Sequence, residues 1–152
     1  MSILRRDMLS FLPMAMATGL ALPDLLSGSV AEGQSGVLPS AIFPFEGLEV
    51  HASATAQVRP ILQGKLATGE SIEVHETTLP PGGAPHPAHH HEHTEMWLIR
   101  EGTVELTIEG KLHRLSGGSL GYVRSNEEHG ITNPSDKPAT YFVVAVGPGA
   151  DK

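Results

Sequence analysis

Five histidines and two carboxylates fall within ten residues of this 152-residue chain, from His86 to Glu95. Neutral imidazole and carboxylate are the usual protein ligands for divalent transition metals, so the chemistry these residues suit is coordination of one such ion. On an extended segment alternate side chains share a face. His89, His91, His93 and Glu95 therefore lie on one side and His90 on the other, while Pro87 sets His86 in an approach loop. Thirty-four residues after Glu95, His129 closes the segment Ser125-Asn126-Glu127-Glu128-His129. It is the histidine placed to complete a shell from a second strand, whereas His51, His75 and His113 stand in segments with no partner pattern.

The residues around these admit plainer readings. His86 and His90 read as surface imidazoles, and His93 as a surface imidazole, with a substitute ligand or a group supporting the ligands as the alternative. Trp97 shares the face of Glu95 and Ile99, as a pocket wall or as core. Tyr122 and Tyr141 read as core or rim, and Arg100 and Arg124 as salt-bridged arginines with anion binding as the alternative. Glu127 and Glu128 read as turn charge, the alternative being a carboxylate that orients the His129 ring. Glu73, His75 and Glu76 lie on one strand whose facing the sequence leaves open.

The elements that must position these groups are short strands. Segments at 57–67, 71–79, 95–100, 103–108, 111–115, 119–123, 130–132 and 140–146 are separated by Gly- and Pro-containing turns, and several alternate with period two. That pattern predicts an all-β antiparallel sandwich or barrel. Glu101-Gly102 and Glu109-Gly110, flanking one alternating strand, read as consecutive hairpins.

The spacing resembles the cupin superfamily. Its first motif, G-x5-H-x-H-x3-E-x6-G, is met by Gly83, His89, His91, Glu95 and Gly102. Its second, G-x5-P-x-G-x2-H-x3-N, is met by Gly118, His129 and Asn133, with Arg124 in place of proline and Asn126 in place of glycine. Asn tolerates the positive φ that glycine supplies in such a turn. The resemblance implies a double-stranded β-helix (jelly-roll) barrel with a metal at its mouth, held by His89, His91, Glu95 and His129. Manganese or iron is the ion it most suggests, with zinc, nickel or copper as alternatives. It implies a dioxygenase- or oxidase-like enzyme acting on a small organic molecule, with Glu95 doubling as catalytic proton acceptor. A Lewis-acid isomerase or decarboxylase and a non-catalytic metal or ligand carrier are the alternatives. Small members of the superfamily often pair by sheet packing.

The rest of the chain sets boundaries. Residues 1–31 read as an export signal, with Arg5-Arg6 as a twin-arginine pair, an apolar run from Met8 to Leu22 and a small-residue cleavage site ending at Ala31. The run is too short and too broken by Pro13 and Gly19 for a stable membrane span. The expected location is periplasmic or secreted. Residues 32–56 read as an N-terminal arm and 57–148 as the barrel domain. Ile42, Phe43, Phe45 and Leu48 make the arm more apolar than a linker needs, which suggests a homodimer with the arm covering a neighbour's sheet. The net charge of −7, with no basic stripe, argues against nucleic acid as a partner. The absence of cysteine rules out thiolate zinc sites, cysteine-held clusters and cysteine nucleophiles.

Overall fold

Alternating strands with one apolar face must bury that face against a second sheet, and the chain does so. The structure is a computed structural model that describes residues 36–152; the expected signal segment 1–31 and the first four residues of the arm lie outside the described residues. The strands are β1 (His51–Ala52), β2 (Gln57–Lys65), β3 (Ser71–Leu79), β4 (Thr94–Glu101), β5 (Thr103–Ile108), β6 (Lys111–Ser116), β7 (Leu120–Val123), β8 (His129–Thr132) and β9 (Ala139–Val146). A six-stranded sheet in the order β1-β2-β3-β9-β4-β7 faces a three-stranded sheet in the order β6-β5-β8, with antiparallel pairing throughout. This is the all-β double-stranded β-helix that the motifs imply.

One expectation needs correcting. β5 and β6 form a hairpin, but β4 and β5 do not: β4 pairs with β9 and β7, while β5 pairs with β6 and β8. The register of β4 shifts between Ile99 and Glu101, and the chain then turns at Gly102, φ +81°. A Cβ there would come within 2.7 Å of Ala139 Cα, so glycine lets the backbone turn the corner from one sheet to the other.

Between the sheets lie Leu79, Trp97, Ile99, Val104, Leu106, Val123, Ile131, Tyr141 and Val143, all buried. Each large apolar side chain removed from water contributes about 1.5–3 kcal/mol before entropy is charged against it. The inner face of β3 carries Glu73, His75 and Thr77. Glu76 points outward, yet it is only 1% exposed. Arg100 Nη1 donates to its Oε2 at 2.8 Å, Arg59 Nη1 lies 3.5 Å from its Oε1, and both guanidinium groups sit over the ring of Phe45 at 5.0–5.5 Å. Phe45 belongs to a 3-10 turn, Phe45–Gly47. This part of the arm therefore rests on its own chain's sheet, and β1 extends the edge of that sheet by pairing with β2.

Candidate metal centre

The first motif lies mostly in the loop between β3 and β4. Its strand begins only at Thr94, so the extended geometry expected from His89 onward is absent. Two other devices replace it. His89 and His129 form an isolated antiparallel bridge, each N–H donating to the other's carbonyl at 2.8–2.9 Å. Asn126, at φ +63°, donates its N–H to the His91 carbonyl at 2.8 Å. Asn126 thus makes the left-handed turn where glycine is usual and ties the two motifs together. Asn133, fully buried, completes the frame: its amide donates to the carbonyls of Leu79, Pro80 and Lys137, and its Oδ1 accepts from Ser135.

These ties bring the histidines together. One ring nitrogen each from His89, His91 and His129 lie within 4.8 Å of one another, and so do ligand atoms of His91, His93 and Glu95. Glu95 Oε2 is 3.4 Å from His91 Nε2 and 3.1 Å from His129 Nε2, while Oε1 is 3.9 Å from His93 Nε2. An ion with bonds of about 2.0–2.2 Å holds its donors roughly 3–4.4 Å apart, so little closing is needed. His91 Nδ1 sits 2.9 Å from the carbonyl of His93, and His129 Nδ1 2.8 Å from that of Glu127. Each Nδ1–H donates to a backbone oxygen, which fixes the tautomer and presents Nε2 as a free lone pair. His91 Nε2, His129 Nε2 and His89 Nδ1 are buried without a hydrogen-bond partner among the described residues, although Glu95 Oε2 lies 3.1 Å from His129 Nε2. Unpartnered buried nitrogens are costly, and a cation bound among them removes that cost; the residues fit a metal.

Charge supports the same fit. Burial pushes the Glu95 carboxyl up, but contact with His129 and the charges of His91, His129 and His93 outweigh it and hold it below its ordinary value. Burial pushes His129 down, but its contact with the Glu95 carboxylate and its hydrogen bond to the Glu127 carbonyl together overcome this and leave it raised. His89 and His93 are lowered, first by burial and then by neighbouring imidazoles. An ionised carboxylate beside imidazoles, two of which (His89 and His93) favour the neutral form, is an environment suited to a cation.

A cavity of about 270 Å³ opens from the cluster into the barrel, walled by Trp97, Ile131, Tyr141 and Val143 and bordered by Glu95, His129 and His86. Trp97 is therefore both core and pocket wall. Tyr141 is buried and its phenol raised, chiefly by that burial, so it keeps its proton and can donate. Tyr122 is exposed on the outside. Arg100 is taken up by Glu76, and Arg124 Nε donates to Glu127 Oε1 at 2.8 Å on the surface. His90 is exposed, as read. His93 departs from the surface reading and sides with its alternative: it is half-buried and stacked on His91 with centroids 3.5 Å apart. The backbone oxygen of Glu127 orients His129, a role that residue types do not reveal. His75 also borders the cavity; the Glu-x-His spacing at Glu73 and His75 was the available signal, but only strand register could turn it inward.

Fold, frame and cluster define a class. The family model described as "Cupin domain" matches residues 75–145, so this stretch of the chain is a cupin domain. Among solved structures it is similar to an RmlC-like cupin from Shewanella frigidimarina NCIMB 400, with TM-score 0.60, 18% identity, and coverage of 74% of this chain and 96% of that one. It is also similar to an RmlC-like cupin family protein with a double-stranded β-helix fold from Methanocaldococcus jannaschii, with TM-score 0.57, 21% identity, and coverage of 72% and 93%. At such identities the likeness is one of fold. In sequence, mannose-1-phosphate guanylyltransferase of Klebsiella pneumoniae is 31% identical over 76 residues, which are 50% of this chain and 16% of that protein. The match thus spans only a small part of that curated relative.

Proposed function

We propose that this cupin binds one divalent transition metal through His89, His91, Glu95 and His129, and acts as a metal-dependent oxidoreductase on a small organic molecule. The observation that carries the reading is the set of three buried imidazole nitrogens without partners, grouped around Glu95 at the mouth of a mostly apolar cavity. The mixed nitrogen and oxygen donor set suits manganese or iron. Bound there, such an ion supplies Lewis acidity and one-electron chemistry with dioxygen. The chain's own groups do the rest. Carbonyl-anchored His91 and His129 hold their Nε2 atoms in place, Trp97 and Val143 exclude water, and Tyr141 offers a hydroxyl to a substrate oxygen. Glu95 accepts a proton.

The proposal includes export by a twin-arginine signal with cleavage near Ala31, a route that carries a folded, metal-loaded protein. It includes a homodimer, favoured by Leu98, Leu120 and Tyr122, which stand exposed on the outer face of paired β4 and β7. Among the described residues no helix is long and apolar enough to cross a membrane.

The test is elemental analysis of untagged protein from the native host, followed by oxygen-uptake screening with phenols, diketones and hydroxy acids. One equivalent of manganese or iron and oxygen-dependent turnover are expected. Turnover that persists under nitrogen would transfer the protein to Lewis-acid isomerases or decarboxylases, and binding without product to carriers. Sedimentation giving a concentration-independent monomer would remove the dimer.

A further inference from the structure

The inner face of β3 carries a pair that the metal cluster does not use. His75 Nδ1 lies 2.7 Å from Glu73 Oε1, both side chains being about one-quarter exposed. A carboxylate only accepts, so in the neutral ring Nδ1 carries the proton and Nε2 is left as an acceptor. His75 borders the same cavity as Glu95 and His129.

Sheet register sets the spacing. Glu73 and Glu95 both pair with Ala145 of β9, and His75 and Trp97 both pair with Val143. One strand intervenes, so the two backbones are about 10 Å apart. In the row shared with Glu95 the intervening side chain is only a methyl group. A ligand of a few heavy atoms bridges that gap, and the cavity wall between is apolar.

We propose that Glu73 and His75 form a second general base in this cavity, apart from Glu95. His75 Nε2 takes the proton of one hydroxyl of a ligand with two oxygens (a catechol, an enol or a hydroxy acid) whose other oxygen lies at the histidine cluster. The ligand's O–H bond breaks, the electron pair stays on oxygen, and an N–H bond forms on His75. The Glu73 carboxylate balances the imidazolium, and no oxidant or reductant is consumed. Glu73 touches His75 and is the positioning residue; a carboxylate behind an imidazole fixes its ring and its tautomer. The inference rests on the metal reading above. A merely structural pair within one strand would leave ligand binding unchanged.

The experiment uses the metal-loaded full chain and 4-nitrocatechol, whose visible spectrum reports its protonation state. The wild type is expected to bind it in an anionic form. His75→Gln and Glu73→Gln keep one equivalent of metal but bind the probe about tenfold more weakly, with the spectrum displaced toward the protonated form and the larger effect at His75. Either variant suffices if the other does not fold. Wild-type affinity and spectrum in a metal-replete variant overturn this inference alone. A wild type that takes up no metal overturns the metal reading, and this inference with it.

Discussion

Ionisable groups are enclosed on both sides of the sheet that contains β3, and the two sides treat them differently. Outside, Glu76 is enclosed but matched: two guanidinium groups reach its two oxygens and an aromatic ring covers them. Inside, across the barrel mouth, three imidazole nitrogens are enclosed with no partner among the described residues. Both arrangements carry a desolvation cost. Only the outer one recovers it within the fold, so the outer cluster is a fastening for the arm and the inner one is the candidate site. Burial of charge alone does not distinguish function; an unmet valence among converging ligands does.

The sharpest way to break this contrast is to remove an inner ligand. His91→Ala is expected to weaken metal binding by more than about 100-fold, exceeding the ordinary loss from an outer-shell partner. The metal-free protein should keep its stability, because an unpartnered nitrogen goes with the ring. Titration calorimetry and melting of the metal-free form check both halves; unchanged affinity would contradict the contrast. Next in size is Glu76→Ala. Removing the carboxylate leaves two partly exposed arginines that rehydrate, so about 1–3 kcal/mol of stability should be lost in urea unfolding. Metal affinity should hold, and a loss there would mean that the two faces are coupled. Phe45→Ala should cost about 0.5–1 kcal/mol, the worth of a half-exposed cation–π contact, read by the same unfolding curve and by faster proteolysis of the arm. Smallest is His90→Ala, expected within about 0.5 kcal/mol of wild type in stability and in metal affinity. An effect at His90 equal to that at His91 would deny that neighbouring histidines face opposite ways.

Much of this was readable before any coordinates. Ser71–Leu79 and Thr103–Ile108 were bounded to the residue because Pro-Gly and Glu-Gly turns interrupt the period-two pattern. Asn126 was expected to make a left-handed turn and does so. What escaped was whatever depends on which strand lies beside which. Glu73, His75 and Glu76 are three titratable residues within four positions, and their facing follows only from the pairing of β3 with β9. The crossing at Gly102 looks like a hairpin turn until the register slips at Arg100. The partner of His129 Nδ1 is a backbone oxygen, which no residue type announces.

Local order, the intervals between ligand-bearing residues, and the absence of thiol chemistry were properties of the chain itself, because backbone sterics and side-chain alternation act over a few residues. Tertiary structure alone decided that His89 bridges His129, that Glu76 is neutralised outside while His75 turns inward, and that the arm rests on its own sheet. Those outcomes depend on contacts between segments far apart in sequence, where burial and hydrogen bonding are decided by the neighbours that folding supplies.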